Sequence, residues 1–265
     1  MDNRPIGVMD SGIGGLSIVR VLMQELPHES IIFVGDQLHF PYGTRTTENI
    51  RDLALKISQY LVAQNVKLLV IACNTATAAA LPILQAQLPI PVIGVIEPGA
   101  RAVIEVAQTP RIGVIATDST IRSQAYSQAL HRLAPETNVV SQATQPLVSV
   151  VEHGLTGTFQ AQQMVNNALA IFKEQPVSAL ILGCTHFPFL EYEIHHCLGK
   201  EVVLIDPAEE TVKMVHSQLA QNDQLADQID PQSTFYSTGD QLELLAGVNR
   251  WVNPQAKYQC AHLNL

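Results

Sequence analysis

The chain carries one pattern twice. Ile112-Gly113-Val114-Ile115 repeats Ile6-Gly7-Val8-Met9, and Ile205-Asp206-Pro207 repeats Ile96-Glu97-Pro98. Between these landmarks, the run from Ala179 through Leu182 to Gly183-Cys184-Thr185 repeats the run from Leu69 through Ala72 to Cys73-Asn74-Thr75. The repeats fall in the same order at offsets of 106, 109 and 111 residues. Each is a short apolar run bounded by turn residues, as expected of a strand buried on both faces. The intervening segments have helical spacing: Leu16, Val19, Leu22, Met23 and Leu26, then Ile50, Leu53, Ile57 and Leu61 behind a capping Thr46 or Thr47. Strands alternating with helices build a largely parallel sheet covered by helices. The fold class is therefore α/β: two similar lobes, each a mostly parallel sheet covered by helices, near 1–97 and 98–207. Residues 91–96 read as a strand leading through Glu97-Pro98 into a helix. A tail, 208–265, adds a helix and a strand-like STFYS segment that the residues assign to neither lobe.

Composition narrows what such lobes act on. Only 15% of the 265 residues are charged, against roughly 25% in an average soluble domain, so much of the chain is interior. The formal net charge is -9 and no basic run stands out, which argues against nucleic acid or an anionic membrane as partner. Residues 68–96 are uncharged and long enough to span a bilayer, but Asn74, Pro82, Gln85, Gln87, Pro89 and Pro91 break the run into strand–helix–strand. The opening MDNRPIGVMD has neither a basic nor an apolar leader region, so a cytoplasmic protein is expected. Cys73, Cys184, Cys197 and Cys260 are widely spaced with no Cys-x-x-Cys pair, and reduced thiols are expected.

Cys73 and Cys184 occupy matched places at the carboxyl ends of matched strands, where open α/β sheets bind ligands. If the lobes are related by a pseudo-twofold axis, both thiols reach one interlobe cleft, a favoured place for a pocket. Two acid/base groups on opposite sides of a carbon centre are what stereoinversion by proton transfer requires. A thiol suits the task, since its pKa falls readily toward neutrality at a helix N-terminus or beside a cation. Free cysteines are also among the most buried residues; their matched placement is what favours chemistry over packing.

Four stretches together closely resemble the cofactor-independent glutamate racemases of the aspartate/glutamate racemase family. They are Asp10-Ser11-Gly12-Ile13-Gly14-Gly15, Pro41-Tyr42-Gly43, Cys73-Asn74-Thr75-Ala76 and Gly183-Cys184-Thr185-His186-Phe187-Pro188. The resemblance runs in order from about residue 6 to about residue 210. It implies interconversion of L- and D-glutamate without a cofactor or metal, supplying D-glutamate for peptidoglycan, in a homodimer. It also implies the roles: Cys73 serves D-glutamate and Cys184 L-glutamate, each donating in the reverse direction. Asp10 and His186 then assist the thiols, with Asp36 and Glu152 as further candidates, and the tail joins the first lobe. Family members regulated by a cell-wall precursor carry an N-terminal extension; with a first strand starting near residue 5, that regulation is not expected here.

Plainer roles exist for the assistants: a cap or turn residue for Asp10, a capping histidine for His186, a solvated helix end for Glu152. A dicarboxylate meeting a protein of charge -9 needs local donors. Backbone N–H groups of residues 11–15, of Gly43 and of the helix start after Cys73 can supply them. Side chains of Ser11, Tyr42, Asn74, Thr75, Thr117 and Thr185 add hydrogen bonds, and Asp10 can accept from the substrate ammonium. The glycine turn lacks the Gly-Lys-Ser/Thr ending of a phosphate loop. Lys56, Lys67, Lys173, Lys200, Lys213 and Lys257 all lie away from these motifs, which disfavours a Schiff base to pyridoxal phosphate. Aspartate racemase is the nearest rival, and a non-catalytic acidic-ligand binding protein the rival from another class. Cys73, Cys184 and His186 fall one ligand short of a closed structural zinc site, and His195-His196-Cys197 reads as a solvated helix face.

Overall fold

The landmark runs form strands because they are apolar on both faces and helices cover both. The computed structural model describes residues 1–252 and 257–265. The chain divides into two compact units, Met1–Val95 with Ala208–Leu265, and Ile96–Pro207.

In the first unit, β1 (Ile6–Asp10), α1 (Leu16–Glu25), β2 (Ile31–Gly35), α2 (Thr47–Ala63), β3 (Leu68–Ile71), α3 (Asn74–Gln87) and β4 (Val92–Gly94) alternate as expected. Side chains alternate across the strands with period two. Ile6, Val8, Leu68 and Val70 join Leu16, Val19 and Leu22 of α1 on one face. Met9, Leu69, Ile71 and Cys73 join Ile50, Leu53, Ile57 and Leu61 of α2 on the other. Thr46 caps α2, accepting from Asn49 N–H at 3.3 Å.

The second unit holds α4 (Ile96–Val106), β5 (Arg111–Ala116), α5 (Asp118–Ser123), α6 (Ala125–Leu133), β6 (Asn138–Ala143), α7 (Pro146–Glu152), α8 (Phe159–Ala168), α9 (Ile171–Glu174), β7 (Ala179–Gly183), α10 (Glu191–Leu198) and β8 (Val203–Ile205). Its sheet runs β6-β5-β7-β8, all parallel. The tail supplies α11 (Ala208–Gln221), β9 (Ser233–Ser237), α12 (Gln241–Gly247) and β10 (Tyr258–His262). The first sheet runs β10-β9-β2-β1-β3-β4, also all parallel. Its β2-β1-β3-β4 portion has the order of the second sheet, so the internal repeat is a repeat of topology. The tail extends the first sheet from the β2 edge, and α11 packs against α1.

Two sequence expectations need correction. The strand read over 91–96 is only Val92–Gly94, and Ile96 already opens α4. Pro91 has no N–H for the ladder, although its carbonyl accepts from Leu69 N–H at 3.0 Å. Pro98 fits the first helical turn, where an N–H has no helical partner anyway. The uncharged run 68–96 is strand–helix–strand, as read, but Pro82 is not one of the breaks, since α3 continues through it. Nearby, Arg51 Nε donates to the Ala79 carbonyl at 2.8 Å, so a side chain serves the backbone beside the proline. Among the described residues no helix is long and apolar enough to cross a membrane.

Candidate active site

Strand register places the first group of polar residues. Met9 lies opposite Ile71, and Ala72 N–H donates to the Met9 carbonyl at 2.9 Å, so Asp10-Ser11 and Ala72-Cys73 leave the sheet side by side. Cys73 is the N-cap of α3 and is buried; its sulfur accepts from Ala76 N–H at 3.4 Å and its thiol donates to Ser11 Oγ at 3.5 Å. A sulfur there meets the positive end of the helix. Asn74 and Thr75 follow, buried in the first turn. Asp10 acts as a turn residue: its Oδ2 accepts from Gly12 N–H at 3.1 Å and Gly15 N–H at 3.0 Å. Two of the N–H groups expected to receive a ligand carboxylate are therefore spent on Asp10. A Cβ on Gly15 would lie 2.7 Å from that of Asp10 and 3.0 Å from that of Ala72, which is why the turn closes on glycine.

Asp36, just past β2, is a hub. Its N–H donates to the Asp10 carbonyl at 2.9 Å. Its carboxylate accepts from the Tyr42 hydroxyl at 2.6 Å, the Thr238 hydroxyl at 2.6 Å and His39 Nδ1 at 2.9 Å. Tyr42 is buried in the cluster that contains Cys73. Burial, with the negative charges of Asp36, Cys73 and Asp10, pushes its phenol far above the ordinary value. Tyr42 was expected to donate to substrate; its proton instead goes to the carboxylate at the end of β2, leaving the oxygen as an acceptor. Gly43 is buried in the single 3-10 turn Tyr42–Thr44, which follows a cis Phe40–Pro41 peptide.

In the second unit, Ala116 lies opposite Gly183, so Thr117 and Cys184 leave adjacent strands as Ser11 and Cys73 do. Thr117 caps α5, accepting from Thr120 N–H at 3.3 Å. Cys184 and Thr185 are buried. The Cys184 sulfur is 3.6 Å from Nδ1 of the buried His186, whose Nε2 makes a short hydrogen bond to Glu152 at the end of α7. Burial opposes charge on this ring, but Cys184 and Glu152 outweigh it and raise the pKa to about 10. At neutral pH the imidazolium thus donates from both nitrogens, to sulfur and to carboxylate. His186 makes no capping bond, and Glu152 is a partner rather than a free helix end.

This geometry sets a pH dependence. The His186 pKa is raised from an unfolded value near 6.5 to about 10. Its charged state therefore contributes stability that is full below about pH 6.5 and lost as pH rises through about 10. Glu152→Gln removes one of the two groups that favour the cation. A proton NMR titration of His186 is expected to show a lower pKa than in the wild type; an unchanged value would disconnect Glu152 from the ring.

The two groups share strand positions but not charges. Ala116 stands where Asp10 does. Thr144, whose N–H donates to the Ala116 carbonyl at 2.8 Å, stands where Asp36 does. Thr75 occupies the place of His186. Sequence reasoning missed His39, Thr238, Tyr126 and Asp206. Tyr126 is buried with its ring 3.0 Å from where a Cβ on Gly183 would sit, and its phenol is pushed up by burial, Asp206 and Cys184. Thr238 had a signal, since it directly follows the STFYS strand, but the neighbour of that strand was not legible. His195, His196 and Cys197 lie on α10, and among the described residues no group of three or more His, Cys, Asp or Glu could hold a metal ion.

Two α/β units of one strand order, each delivering a buried cysteine to the end of an interior strand beside polar partners, are the architecture of an α/β enzyme. The chain belongs to the Asp/Glu/Hydantoin racemase family, whose model matches residues 6–215. It is 56% identical over 265 residues to a glutamate racemase of Limosilactobacillus reuteri, covering all of this chain and 98% of that one. Among solved structures, a glutamate racemase isoform of Bacillus anthracis superposes with TM-score 0.94 at 41% identity, covering 99% of each chain. The glutamate racemase of Francisella tularensis in complex with D-glutamate gives 0.92 at 37% identity, covering 100% of this chain and 98% of that one.

Proposed function

We propose that this protein interconverts L- and D-glutamate by proton transfer at Cα between two thiols, without a cofactor. The observation that carries the reading is the matched pair Cys73 and Cys184, each at the end of a central strand of equivalent topology. Family membership and glutamate racemases at high identity support the substrate.

In the L-to-D direction, a Cys184 thiolate takes the Cα proton and becomes a thiol. The electron pair left on Cα is delocalised into the adjacent carboxylate. The Cys73 thiol then delivers its proton to the opposite face and becomes a thiolate. The reverse direction exchanges the roles. His186 holds a positive charge beside the Cys184 side, and the α3 N-terminus serves the Cys73 side. Asn74, Thr75, Thr117, Thr185 and the Gly43 N–H bind the two carboxylates, and Asp10 braces the Ser11 turn. The product is D-glutamate for peptidoglycan, made by a cytoplasmic homodimer.

The test is incubation of the protein alone with L-glutamate in deuterated water. Inverted product carrying deuterium at Cα is expected. Inversion that requires added pyridoxal phosphate, or inversion of aspartate but not glutamate, would overturn the reading.

A further inference from the structure

We infer that Thr238, contributed by the tail, is a positioning residue for the Cys73 half of the reaction, acting through Asp36 to hold the Tyr42–Gly43 turn. The inference rests on the proposed racemisation and extends it to a residue outside the motifs.

Thr238 is buried at the carboxyl end of β9, the strand paired with β2. Its N–H donates to the Gly35 carbonyl at 3.1 Å. Its hydroxyl works in both directions, donating to Asp36 Oδ1 at 2.6 Å and accepting from Leu38 N–H at 3.1 Å. One oxygen thus fixes both the carboxylate and the backbone of the segment that follows β2. Neighbouring tail residues strengthen the clamp: Ser237 Oγ donates to Gln37 Oε1 at 2.5 Å, and Gln37 Nε2 donates to Glu243 at 3.0 Å.

Asp36 passes the constraint on. The Tyr42–Thr44 turn is one 3-10 turn with no side-chain cap, so little within it defines its position. Its anchor is the Tyr42 hydroxyl on Asp36 Oδ2, with the ring buried beside Cys73. A hydrogen bond to a charged, buried acceptor is among the stronger ones. With Oδ1 held by Thr238 and His39 Nδ1 set against both oxygens at 2.9 and 3.1 Å, the carboxylate presents Oδ2 to Tyr42 in one orientation. Without the Thr238 hydroxyl, the carboxylate rotates, Leu38 N–H loses its acceptor, and the turn bearing the Gly43 N–H loses its fixed position.

Enantiomers have equal free energy, so kcat/KM must change equally in both directions, and the informative readout is its split between KM and kcat. Thr238→Val is expected to raise KM for both enantiomers about tenfold, the effect of one buried hydrogen bond to a charged group. Its kcat should change much less, and Thr238→Ser should restore KM. If valine does not fold, Thr238→Ala deletes the hydroxyl with no extra methyl and carries the same expectation. Combining Thr238→Val with Tyr42→Phe should raise KM no further than the worse single variant, since both act through one chain of bonds. A Thr238→Val protein with wild-type KM and only a lower melting temperature would overturn the inference, as would fully additive effects with Tyr42→Phe or failure of serine to rescue. Wild-type protein that does not racemise glutamate would instead sink the proposed function, so the two failures are distinguishable.

Discussion

Cys73→Ser and Cys184→Ser are each expected to reduce racemisation in both directions by on the order of 10²–10⁴-fold, the contribution of a positioned acid or base to proton transfer. Serine preserves approximate size and a hydroxyl, but at neutral pH that hydroxyl supplies neither an accessible base nor a comparably acidic donor. In the proposed mechanism one lost thiol suffices, because each turnover needs a proton removed by one sulfur and another delivered by its counterpart. The double variant should therefore be little worse than either single one, as for groups that act as a unit. Cys197→Ser serves as control: that thiol is half-buried on α10, and burial pushes its pKa up. Initial rates from each enantiomer, followed by optical rotation or chiral chromatography, read the result. Wild-type rates in either single variant would reduce that cysteine to a packing residue.

The largest stability effect is expected far from the thiols, at the amino ends of the strands. Lys67 lies just before β3, and its Nζ pairs with Glu29 Oε2 at 2.6 Å with both side chains buried. The ammonium also donates to the Asp2 carbonyl at 2.6 Å and the Gln224 carbonyl at 2.7 Å, and Glu29 Oε1 accepts from Ala226 N–H at 2.9 Å. This cluster joins the start of the chain, the α1–β2 loop and the tail. Removing one charge strands the other in the interior, so Lys67→Met or Glu29→Leu should each cost about 3–5 kcal/mol. The thermal midpoint is expected to fall by roughly 6–20 °C for a chain of this size. Changing both residues together should recover part of the loss, since no lone charge remains, but not all, because the Asp2 and Gln224 carbonyls and the Ala226 N–H still lose their partners. Calorimetry distinguishes these cases; a single variant as stable as the wild type would mean that water reaches the pair.

Local and repeated features were legible in the sequence. The apolar runs ending at Ile71 and Gly183 had to become buried strands because they offer no polar face. The helix after Cys73 followed from Ala76, Ala78, Ala79 and Ala80, whereas the capping role of Cys73 itself did not. The turn after β1 followed from Gly12, Gly14 and Gly15. Repetition did what no single motif does alone, since a cysteine at one strand end is ordinary and the same residue at the matched strand end of a second, similarly ordered sheet is not. The placing of Asp10, Ser11, Cys73, Cys184 and His186 at or just past the ends of their strands was therefore legible without coordinates.

What the sequence did not decide depends on pairing between segments distant along the chain. β2 and β9 lie side by side although about 200 residues separate them, and no local propensity encodes which edge a tail strand joins. Because that pairing sets Thr238 against Asp36, it makes Asp36 a hub and turns the Tyr42 proton inward. The Glu152–His186 bond likewise joins the end of α7 to the end of β7, and its effect on the imidazole exists only once both are buried together. Sequence determined which polar residues stand at strand ends and helix starts, because those positions follow from short-range patterning. Tertiary structure alone decided what each touches, because a hydrogen bond between distant segments forms only after the sheet has fixed their separation.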